Sequence, residues 1–316
     1  MNRITVNKNT FLVLSLALIT VIPFLVAVVY APVGIDSSYF LSIVERISDG
    51  YVPYRDLSLS YTPVFFYCMY IVKYIFNVGV NYEFFLSVHF LIEIINAYLI
   101  FRISVLIMKS KKYSFCSAIL FIMASYWNGG NEVFLEMPSL FWGLLSLFFV
   151  LRETNKISDY IIAGTLSALA FLTKQYGFGF FFLVLFIVCT NHGKLVVRNF
   201  LVLSIAYVLT IVIFLILFKE GLFKALFGNG YGYSSIDILI DRSVRFFVRI
   251  FPNILVGMVL IFFSWGRLTR QSLRYVFFLT IWSFRIFIAV LFCTISTLLS
   301  TNNSFCFYID LLYFIP

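Results

Sequence analysis

Charge is the scarcest ingredient of this sequence. Of its 316 residues, 12% are charged and 62% hydrophobic, where an ordinary soluble domain carries about 25% charged residues. A water-soluble fold has too little interior to hide that much apolar surface, and a mean hydropathy of +1.01 makes lipid the fitting solvent. Histidine is nearly absent too: only His89 and His192 occur, far apart, and no GxxxxGK stretch is present. Zinc hydrolysis and ATP-driven transport therefore have no support. Five cysteines at 68, 116, 189, 293 and 306 form no CxxC spacing, and most sit inside apolar runs. They read as small core residues, not as a disulfide or metal framework.

What the chain does have is aromatic and apolar length, with 40 Phe and 20 Tyr. Apolar runs fall near 11–31, 64–78, 84–107, 113–127, 137–151, 158–173, 177–190, 199–218, 252–265 and 275–299. This predicts an all-α, polytopic integral membrane helical bundle forming a single domain over 1–316. The first run is long enough to span and longer than a usual signal core. It is expected to be an anchor whose basic start, Arg3 and Lys8, stays in the cytoplasm. The net charge of +9 is no nucleic-acid footprint, because the basic residues concentrate in short loops as membrane topology demands.

Four such loops are "KSKKY" (109–113), "RETNK" (152–156), "NHGKLVVR" (191–198) and "RLTRQSLR" (267–274). All four are cytoplasmic only if one earlier apolar run fails to cross. The candidate is 64–78, "VFFYCMYIVKYIFNV", short and carrying Lys73 after Pro63, which is expected to be an outward-facing interfacial helix. The segment 31–82 is then wholly external and shares its side with 128–138, 173–177 and 219–251. Asp36 and Glu136 fall on one face of the membrane. If 64–78 spans instead, the two acids separate.

Several external residues have two readings. Asp36 precedes apolar Tyr39, Phe40, Ile43, Val44 and Ile47 at helical spacing, predicting an amphipathic helix lying on the membrane. A partly desolvated carboxylate there suits a general base; an N-cap is the alternative. Glu132 and Glu136 stand just before a spanning helix with Pro138 in its first turn, where helix-end charge complementarity alone would account for Glu136. The turn-rich loop 50–63 offers Tyr51, Tyr54 and Tyr61 for stacking on sugar rings. Lys174, at the mouth of a helix hairpin, suits a phosphate or simply the interface. Arg242, Arg245 and Arg249 recur at i, i+3, i+7 and make a basic stripe, either for an anionic lipid-linked substrate or as snorkelling interfacial residues. Inside the spans, His89 and Glu93 at i, i+4 read as a structural pair, and Arg285 as structural or site-facing.

Taken together, "DSSYF" (36–40), "DGYVPYRD" (49–56), "YTPVFFY" (61–67), "EMP" (136–138), "LTKQYG" (172–177) and "SFCFYIDLLYFIP" (304–316) resemble the membrane glycosyltransferases of the C-type superfamily. The nearest pattern is that of protein O-mannosyltransferases and bacterial aminoarabinose transferases. In that family an external Asp, commonly in an Asp-Glu pair, ends the first spanning helix. The resemblance implies an enzyme of the plasma (inner) membrane, multi-pass, with a cytoplasmic N-terminus and an external active site. It would transfer a sugar from a polyprenyl-phosphate donor to a hydroxyl on a glycan, lipid or protein acceptor, with inversion. Asp36 would be the catalytic base and Glu136 would orient the acceptor or Asp36. Tyr54, Arg55, Asp56, Tyr61, Lys174, Arg242, Arg245 and Arg249 would bind substrate. No metal ligand is assigned and no cofactor is certain, though a divalent cation bridging the two acids is left open. Membrane lipids are expected partners; nucleic acid is not.

The pattern has departures. Ser37 stands where the family places its second acid, Tyr61-Thr62 replace the usual His, and the chain stops after Pro316 where relatives continue, which suggests a truncated product. Two other functions compete. A surface-polysaccharide polymerase or flippase would rely on the arginine stripe more than on Asp36. A secondary transporter would need midplane ions and broken helices in two halves, and no inverted repeat is visible.

Overall fold

The computed structural model describes residues 34–57, 59, 61–127, 132–152, 154, 156–190 and 195–227, with helical residues Ser15, Leu16, Leu18–Val21 and Leu25 before them. All of these except Phe227 belong to one compact unit that ends at Leu226. Arg242, Arg245, Arg249, Arg285, the loop 267–274 and the segment 304–316 lie outside the described residues.

The described chain is all-helical apart from one isolated β-bridge between Pro53 and Leu57. Eight α-helices follow the early helical residues: α1 Ile35–Ser48, α2 Val64–Phe76, α3 Tyr82–Met108, α4 Lys111–Trp127, α5 Glu136–Leu151, α6 Ile157–Thr173, α7 Phe178–Thr190 and α8 Val196–Phe227. The apolar runs from 64–78 to 177–190 thus became helices with ends shifted by one or two residues, and the run 199–218 lies within the longer α8. Their stops are local. Gly50, at φ +93, follows α1, while Asn77 and Lys109 take the left-handed conformation after α2 and α3, the usual way to end a helix. Asn81 starts α3 by accepting from the Phe84 amide at 3.0 Å, an ordinary N-cap.

Two helices are long and apolar enough to cross a membrane, α3 and the Val196–Lys219 part of α8. In α8 the helical backbone breaks at Lys219, with φ 51 and ψ −139. At 13 residues, α2 reaches only about 20 Å, too short for a hydrocarbon core of about 30 Å.

Packing is closest between α5 and α6, followed by α3 with α4 and α5. Small residues make that possible. The Ser146 hydroxyl donates to the Ala163 carbonyl at 2.8 Å and meets Ser167 Oγ at 2.7 Å. Ser139 donates to the Ala170 carbonyl at 2.9 Å. Ser139 and Ser146, seven residues apart, lie on one face of α5 and meet α6, while Gly143 leaves room for Phe180 of α7. A methyl at Gly164 would lie 2.3 Å from the Leu203 carbonyl oxygen, and this bare spot lets α8 approach α6.

A second core lies at the end of the bundle where α3 and α5 begin. Phe40, Leu41, Ile43, Val44 and Ile47 of α1 are buried with Phe65, Phe66 and Met69 of α2 and with Phe85, Leu86 and Phe90 of α3. This corrects one expectation. The apolar face of α1 is turned into the protein, because α2 and the start of α3 supply enough aromatic surface to cover it. That face is not free to lie on a membrane.

Candidate active site

Asp36 is the second residue of α1. Its helix begins at Gly34 and no side chain caps it, so the N-cap alternative does not hold. The Asp36 side chain is exposed and not partly desolvated as the sequence suggested.

The partly buried carboxylate near Asp36 is Glu132. Val133 and Leu135 are buried in the α1–α3 core, and this wedge carries Glu132 to the start of α1. There it lies so close to Gly34 that a methyl on that glycine would fall 1.8 Å from its Oε2. The Ser37 hydroxyl is 3.5 Å from Glu132 Oε2 and 3.3 Å from the Val133 carbonyl. Burial holds the Glu132 carboxyl above the ordinary glutamate range. The Ser37 hydrogen bond opposes this, and the charge of Asp36 adds to it. Asp36 therefore has an acidic neighbour, but it is Glu132 and not Glu136. The signal in the sequence was the small pair Gly34 and Ser37 around Asp36, which leaves room for a carboxylate from elsewhere.

A proton binds Glu132 more tightly in the folded chain than in the unfolded one. Its contribution to stability is therefore full below the unfolded glutamate value and lost as pH rises through the higher folded value. Thermal midpoints of the detergent-solubilised chain should fall across that window, and Glu132→Gln should flatten the fall. An unchanged slope in Glu132→Gln would remove the assignment.

Glu136 is committed elsewhere. Its Oε1 accepts from Lys174 Nζ, and the side chains are only 27% and 15% exposed. The α6–α7 turn presents Lys174 there. The Lys174 amide donates to the Ala170 carbonyl at 3.1 Å, and the Gly177 amide donates to the Lys174 carbonyl at 2.8 Å. A methyl at Gly177 would sit 2.2 Å from the Ala170 carbonyl carbon and oxygen, so only glycine closes this turn. Across the bundle, Asn96 Nδ2 donates to the Met137 carbonyl at 3.0 Å and fixes the first turn of α5 to α3.

The loop residues are mostly engaged in holding the loop itself. Arg55 and Asp56 form a two-pronged ion pair at 2.9 and 2.8 Å, and the Val52 amide donates to Asp56 Oδ2 at 2.8 Å. Arg55 first, then the Val52 amide, pulls the Asp56 carboxyl down to about 2. Tyr54 takes φ 65, and its hydroxyl donates to the Tyr61 carbonyl at 2.5 Å. Its ring meets Phe218 edge-on at 5.7 Å, and burial, with Tyr67, pushes its phenol up. Tyr61 packs edge-on against Phe40 at 5.3 Å. Of the three tyrosines expected to stack on sugars, Tyr51 is the exposed one, at 50%.

Asp36, Tyr54, Tyr61, Glu132, Glu136 and Lys174 thus gather at one end of the bundle. Arg102 of α3 and Arg152 after α5 meet around Phe148 toward the opposite helix ends. His89 and Glu93 are fully buried in α3, but the expected pair is not hydrogen-bonded: neither His89 ring nitrogen has a partner among the described residues. Spacing of i, i+4 brings the Cβ atoms within about 5–6 Å without supplying the rotamers that a bond requires. Among the described residues no group of three or more His, Cys, Asp or Glu side chains is placed to hold a metal ion. In comparisons with family models, curated proteins and solved structures, nothing matches this chain.

Proposed function

We propose that the chain is a polytopic enzyme of the plasma (inner) membrane, similar to the C-type superfamily, that transfers a sugar from a polyprenyl-phosphate donor to an external hydroxyl. The observation that carries this reading is the exposed Asp36 with Glu132 beside it, at the same end of the bundle as the Glu136–Lys174 pair. Membrane embedding is supported by the exposed face of α8, where Val197, Leu201, Ile205, Val208, Val212 and Ile216 are each at least 40% exposed. Water does not tolerate so long an apolar stripe on a monomer.

In this reaction the acceptor oxygen attacks the anomeric carbon as the bond from that carbon to the phosphate oxygen breaks. The electron pair leaves with the lipid phosphate, and the hydroxyl proton goes to Asp36. Asp36 is exposed and so within reach of an acceptor hydroxyl. Glu132 stands in space where Ser37 leaves the family's second acid missing. Lys174, held in place by Glu136, offers a fixed positive charge for the departing phosphate.

The test is a deletion in the source cells, reading surface glycans and lipid-linked sugars together. Loss of one sugar with build-up of its lipid-linked donor is the expected result. Shortened polymer chains without donor build-up would replace the transferase reading by the polymerase one.

A further inference from the structure

At the end of the bundle away from Asp36, two arginines share one phenylalanine. The Arg102 guanidinium lies 5.5 Å from the Phe148 ring centroid and that of Arg152 lies 5.8 Å from it. Arg152 is also 5.8 Å from the Phe149 ring, and Arg102 is 5.8 Å from Tyr98. Arg102 Nη1 donates to the Tyr98 hydroxyl at 2.8 Å. A guanidinium has five N–H donors, and among the described residues this is the one side-chain acceptor Arg102 meets. Arg152 meets none, and neither arginine has a carboxylate partner there.

The surroundings add positive charge. Lys109 follows α3, Lys111 and Lys112 open α4, and in the turn after α5 Arg152 is followed by Glu153 and Lys156. Asp159, in the first turn of α6, is buried and accepts from Thr154. The ends of α3 and α5 each contribute about half a negative charge. With Glu153 and Asp159 both counted, the two arginines and four lysines of these segments still exceed the acids and the helix-end partial charges together.

Depth decides what supplies the missing anion. With 27 residues, α3 is about 40 Å long and overhangs a hydrocarbon core of about 30 Å by roughly 5 Å at each end. Arg102 lies about 9 Å along the axis from Met108, which puts it just inside the boundary. A guanidinium there reaches toward the headgroup layer, and a phosphodiester is the acceptor that layer holds.

We infer that Arg102 and Arg152, spaced by Phe148, bind the phosphate of an anionic phospholipid headgroup in the leaflet opposite the candidate active site. This rests on the membrane embedding proposed above and is independent of sugar transfer. The aromatic ring keeps the two cations apart while covering their apolar stems, and the lipid phosphate removes their mutual repulsion.

The experiment uses the full chain in mild detergent and native mass spectrometry, with phosphatidylglycerol and phosphatidylcholine of matched acyl chains as probes. Wild type should retain phosphatidylglycerol about thirtyfold more tightly. R102Q/R152Q should lose that preference, and R46Q, at an exposed arginine on α1, should keep it. R102K/R152K keeps the charge but not the planar fork and should show a weakened preference, which carries the test if the glutamine pair does not fold. Equal preference in R102Q/R152Q and wild type would overturn the site. Displacement of the lipid by excess inorganic phosphate would overturn the headgroup assignment in favour of free phosphate. Recovery of the chain in the supernatant after alkaline carbonate washing would instead overturn the membrane embedding itself, with the lipid site falling alongside it.

Discussion

Asp36→Asn is expected to lower sugar transfer by about 10² to 10⁴ while leaving the abundance of the chain in the membrane unchanged. The two halves of that expectation have separate causes. Asp36 is exposed, in the first turn of α1, and caps nothing. Asparagine keeps its size and its helix-start preference, so the fold loses only a helix-end charge interaction of about 0.3–1 kcal/mol. What disappears is a group able to take the acceptor proton. The measurement is transfer from a lipid-linked sugar donor in membranes matched for chain abundance. Near wild-type transfer by Asp36→Asn would end the assignment of Asp36 as base. The same substitution has a second consequence through Glu132. With the Asp36 charge gone, one of the causes that raise the Glu132 carboxyl is removed, so its titration should move down toward the ordinary glutamate range.

A different pattern is expected at Lys174 and Glu136. Lys174→Met leaves a carboxylate with one oxygen already buried and without a partner and takes away the cation that the other oxygen accepts from. Breaking one side of a largely buried ion pair typically costs about 3–5 kcal/mol, and side chains 15% and 27% exposed place this pair toward the lower figure. Thermal unfolding of the solubilised chain should show a clear drop for Lys174→Met. The double change Lys174→Met with Glu136→Gln should recover most of it, since replacing both partners removes the unpaired charge. Transfer activity should stay low in the double variant if Lys174 also serves the leaving phosphate. Full recovery of both would make the pair purely structural.

Much of this architecture was legible because the helices are written as long apolar runs. The runs at 84–107, 113–127, 137–151, 158–173 and 177–190 correspond to α3 through α7 with small end shifts. Counting basic loops also expected the turns 128–138 and 173–177 to share a side, and the Glu136–Lys174 contact brings those two turns together. Packing partners were not legible. Periodicity showed that α1 has an apolar face but not whether lipid or protein covers it; Phe65, Phe66, Phe85 and Phe90 do. Nor did it show which glutamate would meet Asp36. Glu132 and Glu136 are one helical turn apart in sequence, and the choice was made by Val133 and Leu135 entering the core. In the same way, Tyr54, Arg55 and Asp56 looked available because turns are polar, whereas their hydrogen bonds close the turn on itself.

The contact between Ser37 and Glu132 spans 95 positions of the chain, and this sets an order of events during synthesis. At about 5–20 residues per second, α1 emerges roughly 5–20 seconds before the acid that will stand beside Asp36. During that interval the aspartate has no Glu132 beside it, and the core that α1 shares with α2 and α3 lacks Val133 and Leu135. The chemistry of this end of the molecule is therefore assembled late, by the connection between α4 and α5. A chain halted before that connection would carry Asp36 on a folded helix with no Glu132 beside it.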